Sequence, residues 1–187
     1  MATLSIEKEP YMTSSTAANP ESCHTCRLSQ DLELLRRTTL LAGIGLDIVK
    51  LFAYLSIRRT YQAGDLLIEQ NQKADKAFIL INGTLDVSVH HRDKDIRLQP
   101  LKEDDFFGEL ALLAAFDWFF SVRAVTDVEV LIIHRRSFQK ILEKFPSHKD
   151  MLIERVIQLR VDRLVRQTSF MLDKFLSADE PPVISLI

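Results

Sequence analysis

The sequence predicts a mainly β fold with flanking helices, and three observations carry that expectation. Residues 61–89 alternate apolar and polar side chains and are broken by Ala63-Gly64-Asp65 and Asn82-Gly83, the period-two pattern of half-buried strands joined by tight turns. Before this stretch, apolar residues recur at steps of three and four, the helical period. After it, a second helical pattern runs until Pro181-Pro182.

Residues 1–30 are rich in Ser, Thr, Ala, Asn, Pro and Glu with no sustained apolar period, and they are expected to form a flexible leader. From Asp31 the pattern becomes helical through Leu32, Leu34, Leu35, Leu40 and Leu41, with Gly43 and Gly45 marking a joint before Ile48, Val49, Leu51, Phe52 and Leu55. Two short helices satisfy this spacing. Asn-Gly between apolar runs is a hairpin signal because both residues tolerate positive φ, so a hairpin is expected at Asn82-Gly83. Phe78, Leu80, Leu85, Val87 and Val89 supply its inward faces. The mixed-charge stretch from His90 to Arg97 suits an exposed hairpin, and a later strand is expected over 122–133. Several short strands at this spacing argue for a sandwich or barrel.

Phe138, Ile141 and Leu142 mark a helix that Pro146 ends or redirects. A long helix follows over 147–178, with 179–187 as a flexible tail. Its stripe of Ile157, Val161, Leu164, Thr168, Met171 and Phe175 alternates steps of four and three, the seam of a coiled coil. Leu152, Val156 and Leu159 are read as widening that stripe, so the helix is expected to pack on its own β domain and on a partner helix. The alternative is packing within one monomer only. The domain itself spans 31–146.

The totals exclude several classes. With 187 residues, 47% hydrophobic and 27% charged, the chain is an ordinary globular protein. A formal net charge of −2 gives no global attraction to nucleic acid or anionic lipid. No apolar run approaches the roughly 20 residues that span a bilayer, and no secretory signal is visible. Two cysteines are too few for a disulfide scaffold, which points to a reducing cytoplasm.

One motif carries chemistry. Residues 107–113 read FGELALL. A glycine at the start of a short helix lets backbone N–H groups face an anion, and the helix dipole adds to their pull. Gly108 with the amides of Leu110 and Ala111 is expected to form such a nest. Glu109 is either a ligand acceptor or an acid that stabilises the helix N-terminus.

This ordered set resembles the cyclic-nucleotide-binding domain, the family of the catabolite activator protein, protein kinase A regulatory subunits and cyclic-nucleotide-gated channels. The resemblance runs from about Leu35 to Leu176. It rests on Tyr61, Gly64-Asp65, Gln70, Asp75, Phe78, Leu80 and Gly83, then Leu101 and residues 105–112, then Val122, Ala124, Thr126-Asp127 and Leu131. It implies a β-roll or jelly-roll fold, a ribose-binding role for Glu109, and an arginine for the cyclic phosphate nine residues later. Trp118 stands there instead.

An indole offers one N–H and no charge, where arginine offers a cationic fork. Losing one partner of a buried charge pair costs about 2–5 kcal/mol. At about 1.4 kcal/mol per tenfold, a micromolar site would weaken to tens of micromolar or to millimolar. Any cyclic nucleotide is therefore expected to bind weakly. Asp117 adds a negative charge nearby, and Arg123, five residues on, is expected to face elsewhere. The four aromatics Phe116, Trp118, Phe119 and Phe120 need a cover, and three are open: a pocket collapsed on Trp118, an apolar ligand, or a partner surface. The candidate ligand-binding set is Gly108, Glu109, Leu110, Ala111, Trp118, Phe119 and Ser121. On the long helix, Arg163 and Leu164 fall where the resemblance implies base-capping hydroxyls, which Thr168 and Ser169 are too distant to supply.

Other constellations are weaker. Cys23-His24-Thr25-Cys26 has ligand spacing, but an iron–sulfur cluster needs four thiolates. Adjacent His90 and His91 point to opposite strand faces. No nucleophile–base set or P-loop is present, so an enzyme is not expected. Only eleven residues follow Leu176, too few for a DNA-binding domain of about 50 residues, and the arginines of the long helix are read as a solvated or inter-helix face. The expectation is a regulatory ligand-sensing module with a degenerate cassette, dimerising through its C-terminal helix. The alternatives are a ligand-free scaffold or protein-interaction dimer, and a genuine cyclic-nucleotide sensor.

Overall fold

Two apolar cores share the central strands. The structure, a computed structural model, describes residues 20–176. Helices α1 (Pro20–Arg37) and α2 (Leu46–Leu55) precede strands β1 (Ile57–Tyr61), β2 (Leu66–Ile68), β3 (Lys73–Ala74), β4 (Lys76–Asn82), β5 (Leu85–His91), β6 (Lys94–Arg97) and β7 (Phe106–Phe107). A 3-10 turn (Glu109–Leu112) leads to β8 (Phe116–Asp117), β9 (Ser121–Ala124) and β10 (Val128–His134). Helix α3 (Arg135–Lys144), a short 3-10 turn at Pro146–His148 and the long α4 (Lys149–Leu176) follow.

The strands form one antiparallel sheet in the order β1-β10-β4-β7, a second in the order β2-β9-β5-β6, and a β3-β8 ribbon. In β4, Phe78 and Leu80 enter the core between the sheets, while Ala77 and Ile79 enter the core beneath the helices. Val130 and Ile132 of β10 face the sheets, and Leu131 and Ile133 face the helices. A strand covered on both faces reads as a continuous apolar run, which explains residues 77–81 and 130–133. The expected β-roll with N-terminal helices and a long C-terminal helix is the fold observed.

Several local expectations are corrected. Helix α1 begins at Pro20, so residues 20–30 are helical rather than leader; 1–19 and the tail lie outside the described residues. Asn82-Gly83 closes no hairpin: β4 pairs with β10 and β7, whereas β5 pairs with β9 and β6. The turn instead carries the chain from one sheet to the other. Gly83 has φ +96°, and a Cβ there would lie 2.6 Å from the Asp127 carbonyl oxygen. The single strand expected over 122–133 is two strands in different sheets, with Val125 exposed between them.

Helix α1 is fastened to the roll by charge. Arg58 Nε donates to Asp31 Oδ1 at 2.9 Å, and Arg58 Nη1 lies 3.2 Å from Glu129 Oε1. Burial opposes the Arg58 charge, but hydrogen bonds and the charges of Asp31 and Glu129 outweigh it and leave its pKa raised.

Helix α4 has two apolar faces, not one broad one. Leu152 and Val156 are buried and Leu159 packs against the same core. Ile157, Val161, Leu164 and Met171 are 49%, 43%, 52% and 58% exposed. Val156 and Val161 are five residues apart, which places them about 140° apart around a helix. Leu152, Val156 and Leu159 therefore lie across the helix from the seam, correcting the reading that they widen it. The Phe175 side chain lies outside the described residues.

Candidate functional site: the cassette and its internal plugs

Strand β7 pairs with β4 through Phe106↔Ile79 and Phe107↔Phe78, and the Phe78 and Phe107 rings stack with centroids 5.1 Å apart. This fixes the entry to the cassette. Gly108 then adopts φ +77° and caps the 3-10 turn, a conformation that favours glycine. Of the two amides expected in an anion nest, that of Ala111 donates to the Gly108 carbonyl at 3.0 Å. Leu110 is half-buried and Ala111 buried.

Trp118 fills the space above this turn. Its backbone is pinned on both sides: Trp118 N–H donates to the Gln72 carbonyl at 2.8 Å, and Asn71 N–H donates to the Trp118 carbonyl at 2.6 Å. The β3-β8 pairing just before it, Lys73↔Asp117, sets the alternation. Asp117 thus points outward, 2.7 Å from Lys73 Nζ, and Trp118 points inward with only 3% exposed. The indole Cη2 would lie 2.9 Å from a Cβ on Gly108, and the Lys76 carbonyl oxygen 3.1 Å from it. Phe116 and Phe120 flank the indole, each with centroids 5.4 Å away. Of the three covers open for the aromatic cluster, the geometry fits a pocket collapsed on Trp118. Phe119 is the exception, 57% exposed and edge-on to Phe120.

Glu109 is 2% exposed and has an internal partner. Arg163 Nη1 of α4 donates to Glu109 Oε2 at 3.1 Å, and Arg163 Nη2 donates to the Phe106 carbonyl. Two arginines on α4 therefore face the chain's own domain, because Arg155 Nη1 also donates to the carbonyls of Leu40 and Ala42 at 3.1 and 2.7 Å. This corrects their reading as a solvated or inter-helix face.

Ser121 accepts from the Gln70 N–H at 3.0 Å, so its hydroxyl joins the loop before β3 to β9. Arg123 Nη1 donates to the Gly64 carbonyl at 2.6 Å, at the turn after β1. The candidate residues are therefore brought together around Gly108, except that Phe119 faces out and Ser121 serves a neighbouring loop.

Sequence reasoning missed Arg135. Its guanidinium donates to the carbonyls of Ala111 at 2.5 Å and Ala114 at 2.6 Å, at the end of the cassette turn, and also to Ala74. A signal was available. Arg135 and Arg136 open α3 with no acid in its first turn, the unfavourable charge for a helix N-terminus, and a residue placed against the dipole has another partner to serve.

Among the described residues, no group of three His, Cys, Asp or Glu could hold a metal ion. Cys26 is an exposed free thiol on α1, which also contains Cys23. No described helix is long and apolar enough to cross a membrane.

A roll of two antiparallel sheets, helices at both ends and a glycine-led 3-10 turn beneath a long helix define a cyclic-nucleotide-binding type of domain. Comparison with known proteins agrees: residues 58–145 match the family model "Cyclic nucleotide-binding domain". The chain is similar to the cGMP-dependent protein kinase egl-4 of Caenorhabditis elegans, 28% identical over 126 residues, covering 66% of this chain and 16% of the kinase. It is also similar to the cAMP-dependent protein kinase regulatory subunit of Aspergillus fumigatus, 34% identical over 82 residues, covering 44% of this chain and 19% of that protein. The chain thus spans a small part of these relatives. Among solved structures, a cyclic nucleotide-binding-like protein from Brucella abortus superposes with TM-score 0.56 at 27% identity, over 61% of this chain and 98% of that one. The regulatory subunit of a cAMP-independent protein kinase A from Trypanosoma brucei superposes with TM-score 0.60 at 20% identity, over 77% and 49%. Domains of this family are regulatory rather than catalytic.

Proposed function

We propose that this chain is a regulatory module whose nucleotide cassette is filled from within, and that it acts as a homodimer through the exposed face of α4 rather than as a receptor for 3′,5′-cyclic mononucleotides. One observation carries the reading. Both features that would hold a cyclic nucleotide are occupied by the protein's own side chains, the glycine turn by the Trp118 indole and the Glu109 carboxylate by Arg163. A ligand must displace a buried aromatic and break an ion pair before it gains any contact, and it meets no arginine at position 118 when it does.

The dimer rests on the exposed seam. Ile157, Val161, Leu164 and Met171 are spaced as a coiled-coil repeat and point away from the domain. Val165 and Leu172 flank them and are also exposed. A second copy of the same helix matches this stripe residue for residue, since a two-fold interface is self-complementary.

Calorimetry with cAMP and cGMP tests the first part: no binding is expected up to high micromolar ligand, and a sub-micromolar Kd would sink the reading. Light scattering tests the second part. The wild type should have dimer mass and Leu164→Glu monomer mass; an unchanged mass removes the seam.

A further inference from the structure

Resting on that reading of α4 as the dimer helix, we propose that the dimer carries a further binding groove along each side of its seam, and that each groove takes an amphipathic, acid-flanked helix of a partner protein.

The apolar stripe of α4 is wider than a two-stranded coiled coil covers. At about 100° per residue, Ile157, Val161, Leu164, Thr168 and Met171 fall within about 40° of one line along the helix. Val165 and Leu172 lie about 60–80° to one side of that line, and Arg160 and Gln167 lie as far to the other. Apolar residues on the seam alone suit a two-helix coiled coil, whereas a seam with an apolar flank is the pattern of a helix packed in a larger bundle. Val165 is 59% exposed and Leu172 is 38% exposed.

In a parallel pair, where each seam residue meets its own copy, the flank of one helix runs beside the opposite flank of the other. Arg160 of one copy then lies beside Val165 of the second copy, and Gln167 beside Leu172. Coiled-coil dimers often place opposite charges at these positions. Here neither cross pair holds a carboxylate. Among the described residues Arg160 has no ion-pair partner, whereas Arg155 and Arg163 are engaged with the domain. Each groove therefore has an apolar wall and an unpaired cation. Further copies of α4 would cover the wall but bring no acid to Arg160. Asp162 is the single acid in residues 155–172; it accepts from Gln158 Nε2 at 2.7 Å and lies about 140° from the seam line. A partner helix with an apolar stripe and acidic flanks supplies what both walls lack.

The test uses two synthetic helical peptides of about three heptads, alike in carrying leucine at the seam positions and differing in having glutamate or lysine at the flanks. Calorimetry against the full chain should show one glutamate peptide bound per chain. The lysine peptide should bind at least about tenfold more weakly, because like charges meet at Arg160. Light scattering should find two chains of the protein in the complex. Val165→Glu with Leu172→Glu places an acid opposite Arg160 of the second copy, so dimer mass should persist while affinity for the glutamate peptide falls at least about tenfold. Arg160→Glu should reverse the preference between the peptides. Equal affinity for the two peptides, or affinity unmoved by these substitutions, would overturn the groove. So would a complex holding one chain, in which the peptide replaces the second copy. A wild type of four chains that falls to two in the Val165→Glu, Leu172→Glu variant would overturn it as well, because the occupant is then a further copy. A monomeric wild type removes the dimer and the groove with it; a dimeric wild type that binds neither peptide removes only the groove.

Discussion

Arg163 of α4 donates to the buried carboxylate of Glu109 at 3.1 Å, while its neighbour Leu164 stands half exposed on the outer face of the same helix. The carboxylate that the sequence resemblance marks as a ligand acceptor is thus engaged within the chain. Trp118 does the same to the glycine turn. The Trp118 indole lies against the glycine of the turn, and Arg163 lies on its acid.

The first prediction concerns that packing. Trp118→Ala removes a 3% exposed indole from the core between the sheets, and a large-to-small change of this kind costs about 3–5 kcal/mol. Urea denaturation should show a lowered midpoint with little change in slope. A loss under about 1 kcal/mol would mean that the indole is not packed as described.

A second prediction concerns Gly108. At φ +77° an L side chain is strained by about 1–2 kcal/mol, and a Cβ would meet Trp118 Cη2 at 2.9 Å and the Lys76 carbonyl oxygen at 3.1 Å. Gly108→Ala should therefore destabilise the domain by about 2–3 kcal/mol. Combining it with Trp118→Ala should recover part of that loss, because one of the two obstructing atoms is gone.

Arg135 supplies a third. Three carbonyls, those of Ala74, Ala111 and Ala114, accept from its guanidinium. Hydrogen bonds from a charged donor are worth about 1.5–3 kcal/mol where buried, and part of that is recovered by water here. Arg135→Ala should cost about 2 kcal/mol and raise amide exchange over 110–115 more than over β10. Lysine at this position should restore little, since it cannot present a planar fork to three acceptors.

Asp117 gives a contrasting prediction. Its ion pair with Lys73 is at the surface, with the side chains 50% and 83% exposed, and such pairs contribute about 0–1 kcal/mol. Asp117→Asn should change stability by less than about 0.5 kcal/mol and should leave cAMP binding undetected. Cyclic-nucleotide binding gained by Asp117→Asn would mean that charge, rather than the indole, keeps the ligand out.

Much of the fold was legible because its signals are local. The strand signals over 61–89, Pro146 between two helices and the glycine of the FGE turn each act through their own backbone and appear as expected, although residues 77–81 form a continuous apolar run rather than an alternating one. Signals that depend on tertiary neighbours were not legible. Asn82-Gly83 has the same residues whether it closes a hairpin or crosses between sheets, and only the proximity of Asp127 distinguishes the two. Only the later turns of α1, with Leu28, Leu32 and Leu35, meet the core, and its first turns are too polar to show a period. At the site, the swap of arginine for Trp118 was visible in the sequence, but the partners of Arg163 and Arg135 were not. A long cationic side chain finds acceptors across the fold, and two of the three that Arg135 finds are backbone carbonyls of one turn.

Trp118 is the only tryptophan in the chain, so its emission reports directly on whether the cassette is filled from within. A cassette filled from within gives blue-shifted emission, protected from acrylamide and unchanged on addition of cAMP or cGMP up to high micromolar concentration. Red-shifted, freely quenched emission, or a saturable change at sub-micromolar cyclic nucleotide, would contradict it.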